Sequence, residues 1–377
     1  MPTITYLTTI QFDFGAVKML ADEAEAVGIN RPLVVTDKGV CDCGVLDKVL
    51  EQLPDAMAVS TFDGTPENPT ENAVLDALSQ YREGECDGMI AVGGGSPMDL
   101  AKGVAILAAH EPPLEQYAAI FGGAAKITDK VAPVIAVPTT AGTGSEVGRG
   151  AILTLNDGRK LGFASPNNIP KRAICDPELT LGLPKRLTAA TGMDAVAHCV
   201  ETFISPVINP PAEGIAFEGL RRAMGHIERV VADGSDREAR WEMMMAAMMG
   251  AMSFQKGLGA VHAISHPLGG MQEPRLHHGT LNAVVMPAVL RYNATHVGDK
   301  YDRLCDAMGL DRGTDLPAFI EGFNAKLELP ANLREMGVPE GVVPDMAAAA
   351  ELDHCNATNP RPATKDDYLV LINEAMG

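Results

Sequence analysis

Four side chains in the second half of the chain have the types and spacing of a divalent-metal site. Asp194 and His198 are four residues apart in a segment with helical periodicity, so both would point to one face of a helix. His262 and His278 follow in the segments VHAISHPLGG and RLHHG. One carboxylate and three imidazoles suit Fe(II) or Zn(II) and leave coordination positions open for a substrate oxygen. An ordinary surface pair on a helix is the alternative for Asp194 and His198.

A glycine-rich loop earlier in the chain indicates a phosphate site. In GMIAVGGGSPMDLAK an apolar run ends in Gly93, Gly94, Gly95 and Ser96, and a helical pattern then begins. A strand that turns into a helix N-terminus presents unpaired backbone N–H groups and the positive end of the helix dipole, and both attract phosphate. The chain lacks the GxGxxG spacing of the Rossmann fingerprint, so a plain tight turn is the alternative.

A second polar loop follows the apolar run APVIAVP, and its groups suit a pyrophosphate and the ribose that carries nicotinamide. The loop consists of Thr139, Thr140, Ala141, Gly142, Thr143, Gly144, Ser145 and Glu146. Two loops of this kind, each leaving a buried strand, are difficult to explain as turns alone.

Five separated motifs resemble the iron-containing (group III) alcohol dehydrogenases. They are GGGSPMDLAK, PTTAGTGSE, DPELTLGLP, GMDAVAHCVE and HAISHPLGG, in the order that the family has them. The resemblance implies an α/β N-terminal domain with a parallel, dinucleotide-binding sheet, an all-α C-terminal domain, and an architecture shared with dehydroquinate synthase.

The periodicity of the chain predicts where these domains meet. The β-rich runs LVVTD, AVSTF, MIAVG and VIAVP alternate with helical stretches, and two further strands are predicted around the NDG turn. From Pro184 onward the pattern is helical. We therefore expect an NAD-binding domain over residues 1–180 and a metal-binding domain over residues 181–377.

The cofactor-binding positions predicted from the two loops and the resemblance are Asp37, Asn68, Gly94, Gly95, Ser96, Asp99, Lys102, Thr139, Thr140, Thr143, Ser145 and Lys160. A carboxylate at Asp37, after the first clear strand, can bind the adenosine ribose and repel a 2′-phosphate, so NAD is favoured over NADP. Helix capping is the alternative role for Asp37, and stabilisation of its own helix N-terminus is the alternative for Asp99.

Three histidines near the predicted metal have different expected roles. The family has its last ligand directly before a glycine, which selects His278 over the adjacent His277. His266 lies one helical turn after His262, and the family carries a histidine here beside the nicotinamide. That implies a positioning or proton-relay role, with a structural histidine as the alternative. Fe(II) is the favoured metal and Zn(II) is possible.

Arg149 is the candidate that would bind a substrate carboxylate. It follows Ser145 and Glu146 near the nicotinamide loop, and a guanidinium can bind a carboxylate through two parallel hydrogen bonds. Lys160 and Arg275 are rival carboxylate binders, and a surface ion pair, for example with Glu146, is the alternative for Arg149.

The resemblance implies a metal-dependent, NAD-linked dehydrogenase acting on a small ω-hydroxy acid and its semialdehyde. Finer similarity in YLTTIQFDFGAV, DGRKLGFASP and LHHGTLNAVVMPAVLRYN favours 4-hydroxybutyrate and succinic semialdehyde. A broad primary-alcohol or diol dehydrogenase and a dehydroquinate synthase-like lyase are the alternatives.

Composition restricts the partners and the compartment. The net charge of −19 disfavours nucleic acid and anionic membranes, so a small-molecule partner is expected. No apolar run reaches the roughly 20 residues of a membrane span, and the N-terminal segment does not resemble a signal peptide. Seven cysteines, an odd number, favour reduced thiols in the cytoplasm. The resemblance implies a homodimer.

Overall fold

The computed structural model describes residues 8–377, which form two compact units. The sheet unit contains residues 8–140 and 144–182, and the helical unit contains residues 141–143 and 183–377. Tyr6 and Leu7 of the YLTTIQFDFGAV segment lie outside the described residues. The N-terminal α/β unit and the helical C-terminal unit confirm the predicted fold class.

All strands among residues 8–377 lie in the sheet unit. They are β1 (Thr9–Phe12), β2 (Pro32–Val35), β3 (Ser60–Phe62), β4 (Gly88–Gly93), β5 (Val134–Pro138), β6 (Gly150–Thr154), β7 (Lys160–Ala164) and β8 (Arg172–Cys175). Six strands form a parallel sheet in the order β1-β8-β5-β4-β2-β3, and β6 and β7 form an antiparallel pair. The β-rich runs predicted from the sequence correspond to β2 to β5, whereas β1 and β8 were not predicted.

The α-helices divide between the two units. Those of the sheet unit are α1 (Leu20–Ala26), α2 (Lys38–Asp42), α3 (Val45–Leu50), α4 (Glu71–Glu83) and α5 (Gly95–Ala109). Those of the helical unit are α6 (Lys185–Ile204), α7 (Pro210–Ala232), α8 (Arg237–Met252), α9 (Ala260–Gly269), α10 (His278–Asn293), α11 (Lys300–Met308), α12 (Leu316–Lys326), α13 (Val343–Leu352) and α14 (Lys365–Met376). None of the helices in residues 8–377 combines the length and the apolar character that a membrane span requires.

The central strands are apolar on both sides because helices cover both faces of the sheet. Met89 and Ala91 of β4 belong to the core that α4 and α5 cover, whereas Ile90 and Val92 belong to the core that α1 and α3 cover. This alternation follows from the two-residue period of a strand, and it explains why these runs contain almost no polar residue.

The two predicted loops leave neighbouring strands at the same edge of the sheet. β4 and β5 are parallel partners, with Gly93 opposite Pro138. Just beyond them, the Thr139 N–H donates to the Gly93 carbonyl over 2.9 Å. A Cβ atom built on Gly94 would lie 3.4 Å from the Thr140 hydroxyl oxygen. The loops are therefore in contact where parallel sheets usually bind ligands.

The ammonium group of Lys102 holds the segment after the second loop against α5. The side chain is fully buried, and Nζ donates to the carbonyls of Ser145, Gly148 and Gly150 over 2.7–2.9 Å and to the Ser145 hydroxyl over 2.8 Å. Burial lowers the pKa of Lys102 to about 8, and nearby Asp99 and Glu146 oppose that shift. All of these acceptors are protein groups, so Lys102 stabilises the loop from inside.

Helix α6 of the helical unit is almost entirely buried. Every residue from Thr188 to Ile204 is buried, and the helix packs against α7, α8 and α10. Most of these residues are apolar, as a helix surrounded on all sides requires. Asp194, His198 and Glu201 are exceptions that need specific partners, because a buried charge without partners is costly.

Helix α10 approaches α6 closely at Gly279. A Cβ atom built on Gly279 would lie 2.3 Å from the backbone oxygen of Ala190 and 3.1 Å from Cβ of Asp194. Only glycine allows this approach, and the approach brings the first turn of α10 next to Asp194.

We expect Gly279→Ala to lower the free energy of unfolding by about 1–3 kcal/mol, because the added methyl group must push two helices apart. Urea denaturation followed by circular dichroism would measure the loss. The matched control is Gly322→Ala in α12, where an added Cβ meets no atom within 4 Å. Because alanine favours helix, this control should be neutral or stabilising. Equal stabilities of both variants would contradict the packing argument.

Candidate metal centre and cofactor loops

The structure brings the four predicted metal ligands together inside the helical unit. Asp194 and His198 lie one turn apart on α6, His262 lies on α9, and His278 is the first residue of α10. One potential ligand atom from each residue can be chosen such that all lie within 4.8 Å of one another.

The three imidazoles face a single carboxylate oxygen. Oδ1 of Asp194 lies 3.5 Å from Nε2 of His198, 3.8 Å from Nε2 of His262 and 3.7 Å from Nε2 of His278. Ligand atoms around a tetrahedral ion with bonds of 2.0–2.1 Å are about 3.3 Å apart. Small shifts of these side chains would therefore bring all four ligand atoms to the distances that an ion requires. The His278 side chain is 28% exposed and the other three are at most 4% exposed. A substrate oxygen would therefore enter beside His278.

Burial keeps the innermost imidazoles in the form that binds metal. It lowers the pKa of His198 to about 4 and that of His262 to about 3, although the carboxylate of Asp194 opposes both shifts. Both rings are therefore neutral near pH 7, and a neutral imidazole offers a nitrogen lone pair.

The carboxylate of Glu201 orients the imidazole of His262 through Nδ1, the ring nitrogen that does not face Asp194. Nδ1 of His262 donates to Oε2 of Glu201 over 2.5 Å, and the Val261 N–H donates to Oε1 over 2.7 Å. With its proton on Nδ1, His262 presents the lone pair of Nε2 to the cluster, an arrangement typical of metal-binding histidines. Burial raises the pKa of Glu201 to about 7, against the lowering effect of backbone N–H groups. Glu201 was not predicted from the sequence, although it lies three residues after His198 on the same helix.

The amide of Asn282 also faces the cluster, and it was not predicted. Nδ2 donates to Oδ1 of Asp194 over 2.7 Å and lies 3.1 Å from Nε2 of His262 and 3.2 Å from Nε2 of His278. Two amide hydrogens cannot satisfy three acceptors, so lone pairs remain in excess, and a cation would satisfy them. This excess fits a metal ion. The sequence did contain a signal for Asn282, because it lies four residues after His278, a spacing that puts two residues on one face of a helix.

The adjacent histidines at the start of α10 are directed differently. His277 is the N-cap residue, and its Nδ1 accepts from the Thr280 N–H over 3.3 Å. His278, within the helix, belongs to the cluster. The geometry therefore favours His278 as the fourth ligand.

His266 lies beside the cluster rather than within it. Its ring stacks on that of His278 at 5.7 Å between centroids, and its Nδ1 contacts Oδ2 of Asp353 over 2.9 Å. Burial raises the pKa of the Asp353 carboxyl, but the charge and the hydrogen bond of His266 outweigh it, and the net pKa is well below its usual range. Asp353, like Asn282, was missed from the sequence.

The glycine loop in the sheet unit leaves the start of α5 open. Gly94 is the N-cap residue and provides no side-chain cap, so the first N–H groups of α5 receive no bond from it. The Ser96 hydroxyl donates to the Glu67 carbonyl, which fixes the neighbouring segment. An uncapped N-terminus of a long helix is the type of site that binds phosphate groups.

Two carboxylates near the loops have internal partners. Oδ1 of Asp37 accepts from the Val40 N–H over 3.0 Å and caps α2, so the capping role is present. The other carboxylate oxygen, Oδ2, is close to Gly93, because a Cβ atom built on Gly93 would lie 3.4 Å from it. Asp99 accepts from the Ser145 hydroxyl over 2.6 Å and from the Ile152 N–H over 2.9 Å.

The predicted carboxylate-binding cations differ in their surroundings. Nζ of Lys160 donates to Oδ1 of Asn68 over 2.9 Å. The Arg149 side chain is exposed and forms no ion pair with any residue of the described range 8–377. Glu146, its suggested partner, is buried, and burial raises the pKa of Glu146 to about 7. The ion pair between Arg149 and Glu146 is therefore not formed. Arg275 is exposed in the helical unit.

We expect Glu201→Gln to weaken metal binding by about 10- to 100-fold, because an amide orients and polarises His262 less than a carboxylate does. Competition with a coloured chelator would measure the dissociation constants for Fe(II) and Zn(II). The control is Glu228→Gln, which removes a surface ion pair with Lys326. Unchanged affinity in the Glu201 variant would contradict its role behind His262.

Two family models together match almost the whole chain. The model described as "Iron-containing alcohol dehydrogenase" matches residues 8–177. The model described as "Fe-containing alcohol dehydrogenase family, C-terminal" matches residues 188–376.

Individual relatives also align over the full length. The chain is 58% identical over 383 residues to 4-hydroxybutyrate dehydrogenase of Cupriavidus necator, and the alignment covers 100% of both chains. A crystal structure of 1,3-propanediol oxidoreductase superimposes with a TM-score of 0.92 at 36% identity, covering 99% of this chain and 100% of that one. The crystal structure of sulfoacetaldehyde reductase from Bifidobacterium kashiwanohense in complex with NAD+ superimposes with a TM-score of 0.89 at 26% identity. That alignment covers 100% of this chain and 99% of the reductase. With the Asp–His cluster in place and both family models matched, the chain belongs to the iron-containing alcohol dehydrogenases.

Proposed function

We propose that this protein interconverts 4-hydroxybutyrate and succinic semialdehyde with NAD as the hydride carrier. The observation that carries the proposal is the 58% identity, over the whole of both chains, with the 4-hydroxybutyrate dehydrogenase of Cupriavidus necator. In the oxidation, C4 of the substrate loses a hydride to NAD+ and its hydroxyl loses a proton, which gives the aldehyde, NADH and H+.

Asp194, His198, His262 and His278 would hold the metal ion, for which Fe(II) is favoured and Zn(II) is the alternative. When bound, such an ion supplies a Lewis acid that lowers the pKa of an alcohol and polarises a carbonyl group. His266 would position the substrate hydroxyl or take up its proton. Asp353 engages its Nδ1, which leaves Nε2 as the atom available to substrate.

Residues 1–180 would form the NAD-binding domain, and residues 181–377 the metal-binding domain. The open start of α5 at Gly94, Gly95 and Ser96 suits the pyrophosphate. The proposed partners of the ribose and nicotinamide portions are Asp37, Asn68, Asp99, Thr139, Thr140, Thr143, Ser145 and Lys160. The NAD+ complex of the sulfoacetaldehyde reductase supports NAD as the cofactor.

We expect a preference for NAD over NADP that Asp37→Gly relaxes by about tenfold or more, because a carboxylate repels a 2′-phosphate. The ratio of kcat/KM for the two cofactors measures it. Asp37→Asn separates charge from capping, because asparagine caps a helix as well as aspartate does. If Asp37→Asn behaves like the wild type, or if the wild type uses both cofactors equally, the role assigned to Asp37 is wrong.

Arg149 is the proposed partner of the substrate carboxylate. It lies at the start of the β6–β7 hairpin, directly before β6, and its guanidinium has no ionic partner within the described residues. Lys160, by contrast, is engaged with Asn68. An exposed guanidinium without an ionic partner can bind a carboxylate through two hydrogen bonds without first giving up an internal bond.

We expect Arg149→Ala to lower kcat/KM for 4-hydroxybutyrate by roughly ten- to a hundredfold, the equivalent of losing about 1.5–3 kcal/mol in a charge-assisted contact. NADH absorbance with Fe(II)-loaded and Zn(II)-loaded enzyme would follow the reaction. Oxidation of 1-butanol, which has no carboxylate, should stay nearly unchanged.

Each alternative gives a different result in the same assay. Equal losses for both substrates would assign Arg149 to cofactor binding or structure and make Lys160 or Arg275 the next candidate. A wild type that prefers 1-butanol or 1,3-propanediol would replace the hydroxy-acid proposal with a broad alcohol or diol dehydrogenase. A lyase of the dehydroquinate synthase type would release no stoichiometric NADH.

We also propose that the enzyme acts in the cytoplasm as a homodimer. All seven cysteines are free thiols in the structure, which suits a reducing compartment. The dimer rests on family resemblance, and sedimentation analysis of the purified chain tests it.

A further inference from the structure

A second group of potential ligands lies next to the proposed metal centre and is not used by it. It comprises His266, Asp353, His354 and Cys355, and one potential ligand atom from each can be chosen such that all lie within 4.8 Å of one another. His266 comes from α9, whereas the other three are consecutive residues where α13 ends and a 3-10 turn over His354–Thr358 begins. The backbone itself therefore presents three of the four groups together.

Neighbouring side chains in this second cluster contact one another. Nδ1 of His266 lies 2.9 Å from Oδ2 of Asp353, Oδ1 of Asp353 lies 3.5 Å from Nδ1 of His354, and Nε2 of His354 lies 3.5 Å from Sγ of Cys355. One ion can bind only one nitrogen of His354, so these three contacts do not together form a ligand set. One potential ligand atom from each residue can be chosen such that all lie within 4.8 Å of one another. Ligand atoms around a tetrahedral Zn(II) are about 3.3–3.5 Å apart, so the four side chains would move closer together to enclose an ion. The rings of His266 and His354 are stacked, 5.6 Å between centroids.

The charges and exposure of the cluster suit a divalent ion. A carboxylate and a thiolate together would neutralise two positive charges, which matters because Asp353 and Cys355 are largely withdrawn from water. The His354 side chain is 53% exposed and gives the ion a route from solvent.

We propose that His266, Asp353, His354 and Cys355 form a second metal site, which takes Zn(II) or a similar borderline ion such as Co(II). Mixed imidazole, carboxylate and thiolate donors select ions of this type over Mg(II) or Ca(II). The competing explanation is that Asp353 only forms an ion pair with His266 and that no ion enters.

Metal stoichiometry separates the two explanations. The full-length chain, without an affinity tag, is equilibrated with Zn(II), and bound metal is measured by elemental analysis. We expect two equivalents in the wild type and one in both His354→Ala and Asp194→Ala, because each variant disables one site. The control His296→Ala removes an exposed histidine outside both clusters and should keep two. One equivalent in the wild type, or two in His354→Ala, would overturn the proposal.

Cobalt substitution tests the sulfur ligand without relying on activity. A Cys355 thiolate bound to Co(II) gives a sulfur-to-metal charge-transfer band in the near ultraviolet, whereas the first cluster has no sulfur. The band should appear in the wild type and in Asp194→Ala and disappear in Cys355→Ser, which should still bind one equivalent and thereby report a folded chain. Cys43→Ser removes an exposed thiol and should leave the band unchanged. Two bound Co(II) ions without this band would exclude Cys355 as a ligand and refute the site as proposed.

Discussion

The burial of one carboxylate among three imidazoles is the constraint on which the helical unit depends. Three Nε2 atoms lie 3.5–3.8 Å from a single oxygen of Asp194, in a place that is largely withdrawn from water and exposed only at His278. Polar groups in such a place are tolerated only when each has a partner. Glu201 and Asn282 supply part of that partnership, and a metal ion would supply the rest. Gly279 contributes to the same arrangement, because the lack of a side chain lets the first turn of α10 pack against α6 beside Asp194.

A comparable arrangement orders the loops of the sheet unit. The buried Lys102 ammonium and the Asp99 carboxylate engage Ser145 and the backbone that follows it. These interactions hold the second loop in place through groups of the protein itself. The N-terminus of α5 at Gly94, which has no side-chain cap, is the polar surface that can receive a ligand. Preorganised loops lose less conformational entropy on binding, so such internal bonds would favour the binding of a cofactor.

Motifs with strong local signals were predictable, and elements that depend on distant partners were not. The strands β2 to β5 are apolar runs that their own residues identify. β1 carries the polar residues Thr9 and Gln11, β8 begins with Arg172, and the pairing of these two strands joins positions far apart in the sequence. Asp353 was missed for a similar reason, because its partner His266 lies 87 residues away. Glu201 and Asn282 did carry local signals, because they lie three and four residues after predicted ligands on the same helices.

The sequence by itself predicted the family, the fold class and the residues of the candidate metal centre, with His278 favoured over His277, because motif residues and their spacing are local properties. Tertiary structure decided which alternatives are realised. His277 caps α10 whereas His278 belongs to the cluster, and the buried Lys102 binds backbone carbonyls of its own unit. The tripeptide Asp353-His354-Cys355 became a cluster only when α9 placed His266 beside it. These outcomes depend on burial and on contacts between distant segments, which a pattern along the chain does not record.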